Sequence, residues 1–288
     1  MISSTQALLA ALVAVALWFV WRWWRLERAR LEGPLPRPTP AELLTGFVTD
    51  FFDTLGIGCF APTTATFKVM RMVPDELIPG TLNVGHALPA LTEAFIFIAA
   101  VMVDPLTLVG MIAAAVAGAY FGAGVVARLP RRAVQLSMGL ALLVAAVLMV
   151  SSVLGWMPGG NNATGLGATV LLFAMAMNFV FGALMTLGVG LYAPCLVLVC
   201  LLGMNPISGF PIMMGSCAFL MPVGGVRFIR LRRYSLGASL GLTLGGLPGV
   251  FLAAYVVKSL PLTYLRWLVV VVVLYTALLM LRSARRGE

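Results

Sequence analysis

Residues 54–62 read TLGIGCFAP, and residues 186–194 read TLGVGLYAP. The two nine-mers lie 132 positions apart, and each sits inside an apolar run, 41–72 and 166–203, too long for one simple membrane crossing. Glycine and proline inside such a run free backbone groups from their helical partners, which a bilayer tolerates only where protein or a water-filled cavity re-satisfies them. Gly56 and Gly58 are therefore expected to end one helix. Pro62 then falls in the first turn of the next, where its missing N–H costs nothing. Gly188, Gly190 and Pro194 repeat the arrangement, so each nine-mer reads as helix end, turn, helix start.

The medium follows from composition. Of 288 residues, 61% are hydrophobic and only 10% charged, and the mean hydropathy is +1.03. That leaves too little polar material to cover a soluble domain. Further apolar runs fall at about 78–103, 106–127, 132–154, 208–229, 236–257 and 261–282, each near the roughly 20 residues that cross a hydrocarbon core. The chain reads as an all-α integral membrane protein. Its net charge of +9 does not mark a nucleic-acid binder, because the Lys and Arg residues sit in short clusters between apolar runs. Residues 5–20 look like a signal-peptide core, yet no positive charge precedes them and WRWWR (21–25) follows. They are read as a retained transmembrane helix with its N-terminus outside.

The nine-mers anchor a longer match. At the same offset Met72 aligns with Met204, Pro74 with Pro206, Pro79 with Pro211 and Leu88 with Leu220. After one deletion Gly110 aligns with Gly241, Gly118 with Gly249, and Leu129-Pro130 with Leu260-Pro261. The expected organisation is an N-terminal helix and cytoplasmic linker (1–40), a first repeat (41–154), an external loop (155–165), and a second repeat with a cytoplasmic tail (166–288).

Charge distribution sets the orientation. If each long run is a re-entrant hairpin, each repeat has three full crossings, and an odd number turns the second repeat upside down. All but Lys258 and Arg266 of the 19 Lys and Arg then lie on the cytoplasmic side, as the positive-inside rule favours. A single crossing per long run would put RLPRR (128–132) outside. Two complete crossings per run would preserve the same sidedness, and charge leaves that choice open.

A new helix start exposes unpaired N–H groups and the positive end of a dipole, a ready anion site. Interrupted segments at matching positions of two halves point to a transporter's substrate site. The two apolar halves, each opening on a Gly-rich segment that ends in Pro, resemble the TauE/SafE family of sulfite exporters. The motifs are TLGIGCFAP and TLGVGLYAP, followed by IPGTLNVGHALP (78–89) and FPIMMGSCAFLMP (210–222). The resemblance covers about residues 41–282 and leaves the first helix as an addition. Where many members continue the glycine run, this chain has Cys59-Phe60 and Leu191-Tyr192. The resemblance implies a secondary transporter, expected to export sulfite, an organosulfonate or a related oxyanion across the cytoplasmic membrane. Its partners would be the small anion and membrane lipid, with a homodimer as the assembly to test.

Candidate substrate-binding residues follow. The glycines Gly56, Gly58, Gly188 and Gly190 would open the backbone. Thr63 and Thr64, just after Pro62, can donate to an oxyanion or instead bond back to their own helix. Cys195 is the second-half counterpart of Thr63. Asn83 and His86 lie three apart and so share a helix face, with Gly215, Ser216 and Cys217 in the matching region of the second half. His86 is the chain's one histidine, and a polar ring in a crossing helix weighs toward a pathway role. Asp50, Asp53, Glu93 and His86 are candidates for proton coupling, because a bound proton would relieve the repulsion between an acid and an anion. The plainer alternative makes the acids structural partners of Lys68, Arg71 or Arg227.

No nucleophile and base stand together, no metal-ligand spacing is present, and no ATP-binding motif appears. No enzyme activity, metal or cofactor is expected. Two rivals remain. Cys59, Cys195, Cys200 and Cys217 motivate thiol-mediated transfer of a sulfur species or an intramembrane redox role. A non-transporting membrane scaffold is the other.

Overall fold

The computed structural model describes residues 4–30, 33–156, 162–188, 190–255 and 263–286. Residues 157–161 of the expected external loop, Val189 of the second nine-mer and Lys258 lie outside the described residues. The described chain is 81% helix with no strand.

Helix α1 (Ser4–Arg28) comes first. The first long run is broken into α2 (Pro40–Thr54) and α3 (Phe60–Met70). After a short 3-10 turn come α4 (Ile78–Gly85) and α5 (Ala87–Ala100), then α6 (Pro105–Val126) and α7 (Arg131–Val153). The second long run gives α8 (Ala168–Met185) and α9 (Tyr192–Leu201). Helices α10 (Pro206–Arg230), α11 (Leu236–Tyr255) and α12 (Thr263–Arg286) complete the fold. Among the described residues seven stretches are long and apolar enough to cross a membrane: α1, the α4–α5 stretch, α6, α7, α8, α10 and α11.

Three helix starts, those of α2, α6 and α10, follow one recipe, a capping side chain followed by proline. Thr39 closes a capping box with Glu42 ahead of Pro40, Asp104 caps the Thr107 amide ahead of Pro105, and Asn205 caps the Ile207 amide ahead of Pro206. Each cap satisfies an amide that the helix leaves free, and proline at the first position lacks one to satisfy.

Both long runs break at the nine-mer. Gly56, Gly58 and Gly188 adopt φ of +87°, +90° and +93°, a region closed to most L-residues. The Ile57 amide reaches back to the Phe52 carbonyl at 3.0 Å, a bond that closes off a helix end. Helices α3 and α9, of 11 and 10 residues, are about 15 Å long at about 1.5 Å per residue, half a bilayer. The arms are unequal. Helix α8, at 18 residues, is itself long enough to be a candidate span, so the second break is not at the middle of two equal half-helices.

Close packing places these hairpins. Helix α2 lies along α11 in the same direction: a Cβ on Gly241 would meet Glu42, on Gly245 Leu43, and on Gly249 Phe47. Helix α8 lies along α6 in the same way, with Gly118 against Phe179 and Gly122 against Ala183. Helix α7 pairs with α12. Small residues let these backbones approach where no hydrophobic force separates helix from lipid. Exchanging the two halves, α2 for α8 and α6 for α11, leaves this set of pairings unchanged.

The loops gather at two ends. At one, the Arg30 guanidinium donates to the Ile229 carbonyl at 2.6 Å, Arg233 donates to the Ala127 carbonyl, and Lys68 bonds Asp75 and Ser283. At the other, the Asp104 amide donates to Thr164, and the Asn205 amide to Ala163. The α2–α3 hairpin opens toward the first, charged end. The α8–α9 hairpin opens toward the second, where Leu166 is held by the Thr107 hydroxyl.

Candidate functional site

The break in the first run carries Asp50 and Asp53, one turn apart near the end of α2. The neighbour of Asp50 on α11 is Gly246, where any Cβ would collide with the Asp50 carboxylate and with Pro89. Absence of a side chain there makes room for the acid. His86 sits at the junction of α4 and α5. Pro89 three residues on has no N–H for the Gly85 carbonyl, and the Thr243 hydroxyl supplies the missing donor at 2.7 Å.

Three fully buried side chains form one polar chain. His86 Nδ1 lies 2.8 Å from Asp50 Oδ1 and 3.0 Å from Oδ2. His86 Nε2 lies 3.0 Å from Thr63 Oγ1. A carboxylate accepts only, so the proton sits on Nδ1. With a neutral ring, Thr63 donates to Nε2. With an imidazolium, Nε2–H donates to Thr63 and frees that hydroxyl's own hydrogen. With the neutral ring Thr63 is thus committed to His86, whereas Thr66 donates back to the Pro62 carbonyl at 3.0 Å.

The other two acids are also buried and bonded. Asp53 Oδ1 accepts from the Cys59 amide at 2.9 Å, so one donor at the start of α3 is already held by the protein's own carboxylate. The expectation of a fully open anion site there is narrowed to the amides of Phe60 and Ala61, which helix geometry leaves without intrahelical partners. Glu93 Oε1 accepts from Thr54 at 2.7 Å and Oε2 from Tyr192 at 2.9 Å. The cationic side chains find partners elsewhere. Lys68 pairs with Asp75, and Arg227 donates to the Tyr120 carbonyl while lying over its ring.

Between the two breaks lies a cavity of about 50 Å³ lined by Ile57, Gly58, Phe60 and Ala61 of the first and Gly190, Tyr192 and Pro194 of the second. Residues of α7, including Leu148, close it. The remaining candidates scatter around this centre. Thr64 is buried with an unpartnered hydroxyl. Asn83 donates to the Pro79 carbonyl, and its own oxygen has no partner. Ser216 accepts from Asn178, which also donates to the Met111 carbonyl. Cys195 and Cys217 are buried free thiols, Cys217 against Met185 Sδ at 3.6 Å. Asp50, Cys59 and His86 bring potential metal-binding atoms within 4.8 Å of one another, a proximity that sequence spacing does not reveal. Both His86 nitrogens are already engaged there, by Asp50 and Thr63. Thr54, Tyr192 and Asn178 are polar partners that sequence reading misses. The one available signal is Tyr192, a hydroxyl within the otherwise apolar end of the second nine-mer.

The sequence model of the sulfite exporter TauE/SafE family matches residues 3–149. The match takes in α1, which sequence reading alone sets outside the resemblance, and ends within α7. No curated protein and no solved structure matches the chain.

Proposed function

The chain belongs to the TauE/SafE sulfite exporter family, a family of membrane transporters rather than enzymes, and from that premise we propose that it is a secondary transporter of a small oxyanion such as sulfite or an organosulfonate. The observation that carries this reading is the shared cavity. Two glycine-broken hairpins, one from each half and opening toward opposite ends, meet across it. The anion would lie between the two helix starts, near the Phe60 and Ala61 amides and the free Thr64 hydroxyl. Rocking of one half against the other would expose it to each side in turn, as inverted repeats permit.

His86 is one of the four coupling candidates, with Asp50, Asp53 and Glu93. An imidazolium supplies the positive charge an anion needs and turns the Thr63 hydroxyl outward as a donor. Asp50 holds the ring and balances its charge. The gathering of basic loops at one end supports placing that end in the cytoplasm of a cell membrane, with the N-terminus outside and the C-terminus inside. A gradient or a partner supplies the energy.

The test is flux in proteoliposomes offering sulfite, small sulfonates and matched carboxylates, with and without a pH gradient. Selective oxyanion flux, abolished by Gly56→Leu and kept when Cys59, Cys195 and Cys217 are replaced by serine, is expected. No flux of any of these anions from folded, inserted protein overturns the reading. Loss of flux in the serine variants returns the thiol chemistry to the front.

A further inference from the structure

We propose that Glu93 is a proton-sensitive clasp between the two hairpins, and that anion passage is coupled to proton uptake at this residue; the second clause rests on the transporter reading above. Glu93 stands on α5, outside both hairpins, yet it bonds to both. Its Oε1 accepts from Thr54, the last residue of α2, and its Oε2 accepts from Tyr192, the first residue of α9. The two bonds tie the end of one broken helix to the start of the other. They do so beside the cavity, which Tyr192 itself lines.

The clasp is strong only while Glu93 is ionised. Both donors are neutral hydroxyls, and hydrogen bonds to a carboxylate are roughly twice as strong as neutral ones. The ionisable groups facing Glu93 are Asp50 and Asp53 from α2, Cys59 from the first turn, Tyr192 from α9 and Cys217 from α10. None of these brings a positive charge; the basic group of the cluster is His86, bonded to Asp50, and Glu93→Gln leaves it in place. A proton on Glu93 turns one carboxyl oxygen into a donor, and the bond from Thr54 to it is lost or reversed. Thr54 has a second acceptor in place, the Asp50 carbonyl at 2.9 Å. Tyr192 keeps only a neutral bond. The tie between the hairpins is then weakened to neutral bonds, and they separate more readily.

An anion in the cavity and an ionised Glu93 exclude one another. Like charges at short range repel strongly where water is scarce, and the anion competes for the same Tyr192 hydroxyl. The anion is admitted once Glu93 has taken a proton, which is also the condition that lets the halves move. Repulsion and release thus act in the same direction.

The test is amide hydrogen exchange on the purified full-length protein, without substrate, followed in peptides covering the two turns, 55–61 and 187–193, between about pH 5 and pH 8 and corrected for intrinsic exchange. In the wild type both turns are expected to exchange faster together as pH falls, by about tenfold, the difference between a charge-assisted and a neutral bond. Glu93→Gln should hold both turns at the fast rate at every pH. Tyr192→Phe, which deletes a single oxygen, should free the second turn alone and leave the pH response of the first; it carries the test if Glu93→Gln fails to fold. A wild-type pH response that persists in Glu93→Gln, or turns that respond independently in the wild type, overturns the clasp and leaves the anion reading standing. An intact exchange response without flux of any offered anion overturns the coupling clause.

Discussion

The imidazole of His86 stands 2.8 Å from the carboxylate of Asp50, and both residues are buried. Removing His86 leaves the buried Asp50 carboxyl without its partner, at a cost of about 3 to 5 kcal/mol. His86→Ala should therefore lower thermal stability by this order and abolish anion flux. Asp50→Asn keeps an acceptor for Nδ1–H and should unfold less readily, while shifting the pH profile of flux. Melting curves in detergent and flux at several pH values check both. Equal stability loss in the two variants would show that charge is not what binds the pair.

Gly58 separates conformation from space. A Cβ there meets nothing within 4 Å, yet its φ is +90°. Gly58→Ala should cost about 1 to 2 kcal/mol from the left-handed backbone alone. Gly33 also has open space and carries no positive φ, so Gly33→Ala should fall within about 0.5 kcal/mol of the parent. Thermal melts of the two variants side by side test whether the turn is held by backbone geometry. A neutral Gly58→Ala would refute the strained-turn account.

The Thr243 hydroxyl satisfies the Gly85 carbonyl that Pro89 leaves bare. Thr243→Val should cost about 1 to 3 kcal/mol, the penalty of an unsatisfied buried polar group. Pro89→Ala restores the helical donor, so adding Thr243→Val to it should cost much less. A double-mutant cycle measures the difference, and additive costs would sever the proposed link.

Helix α1 is fastened to the charged end through Trp23, whose indole donates to the Tyr234 hydroxyl at 3.0 Å. Burial, and then the negative charge of Glu27, push the Tyr234 phenol above its ordinary value of 10.0. The fold holds the neutral form, whereas the unfolded chain releases its proton at the ordinary value. Stability from this group is present below about pH 10 and declines as pH rises above it. Wild-type melting temperature should drop on this alkaline side, and Tyr234→Phe should flatten that drop. An unchanged alkaline slope in Tyr234→Phe would exclude the phenol as its source.

Much of the site was legible where residue type alone dictates conformation. Gly56, Gly58 and Gly188 mark the breaks because few other residues take their φ, and Pro62 and Pro194 mark first turns because they lack an N–H. Which acid meets which donor was not legible. Asp50 and Asp53 differ by three positions, yet one meets His86 on another helix and the other caps the start of α3. Lys68 and Arg227, nominal partners for these acids, found Asp75 and a carbonyl instead. Thr54 looks like the opening of a motif in the sequence; its bond to Glu93, 39 positions away, depends on how α2 leans on α5.

The sequence by itself determined the medium, the helical class and the two interruptions. Apolar run lengths, glycine and proline act locally, and in a bilayer the backbone must satisfy its own hydrogen bonds within each segment. Only the tertiary structure decided that Glu93 joins the two hairpins, that Asp53 occupies a helix start, and that Asp50, His86 and Thr63 form one chain. Those contacts join residues far apart in sequence and depend on the approach of glycine-lined helices such as α2 and α11. No local rule sets that approach, because it is fixed by side-chain packing between helices.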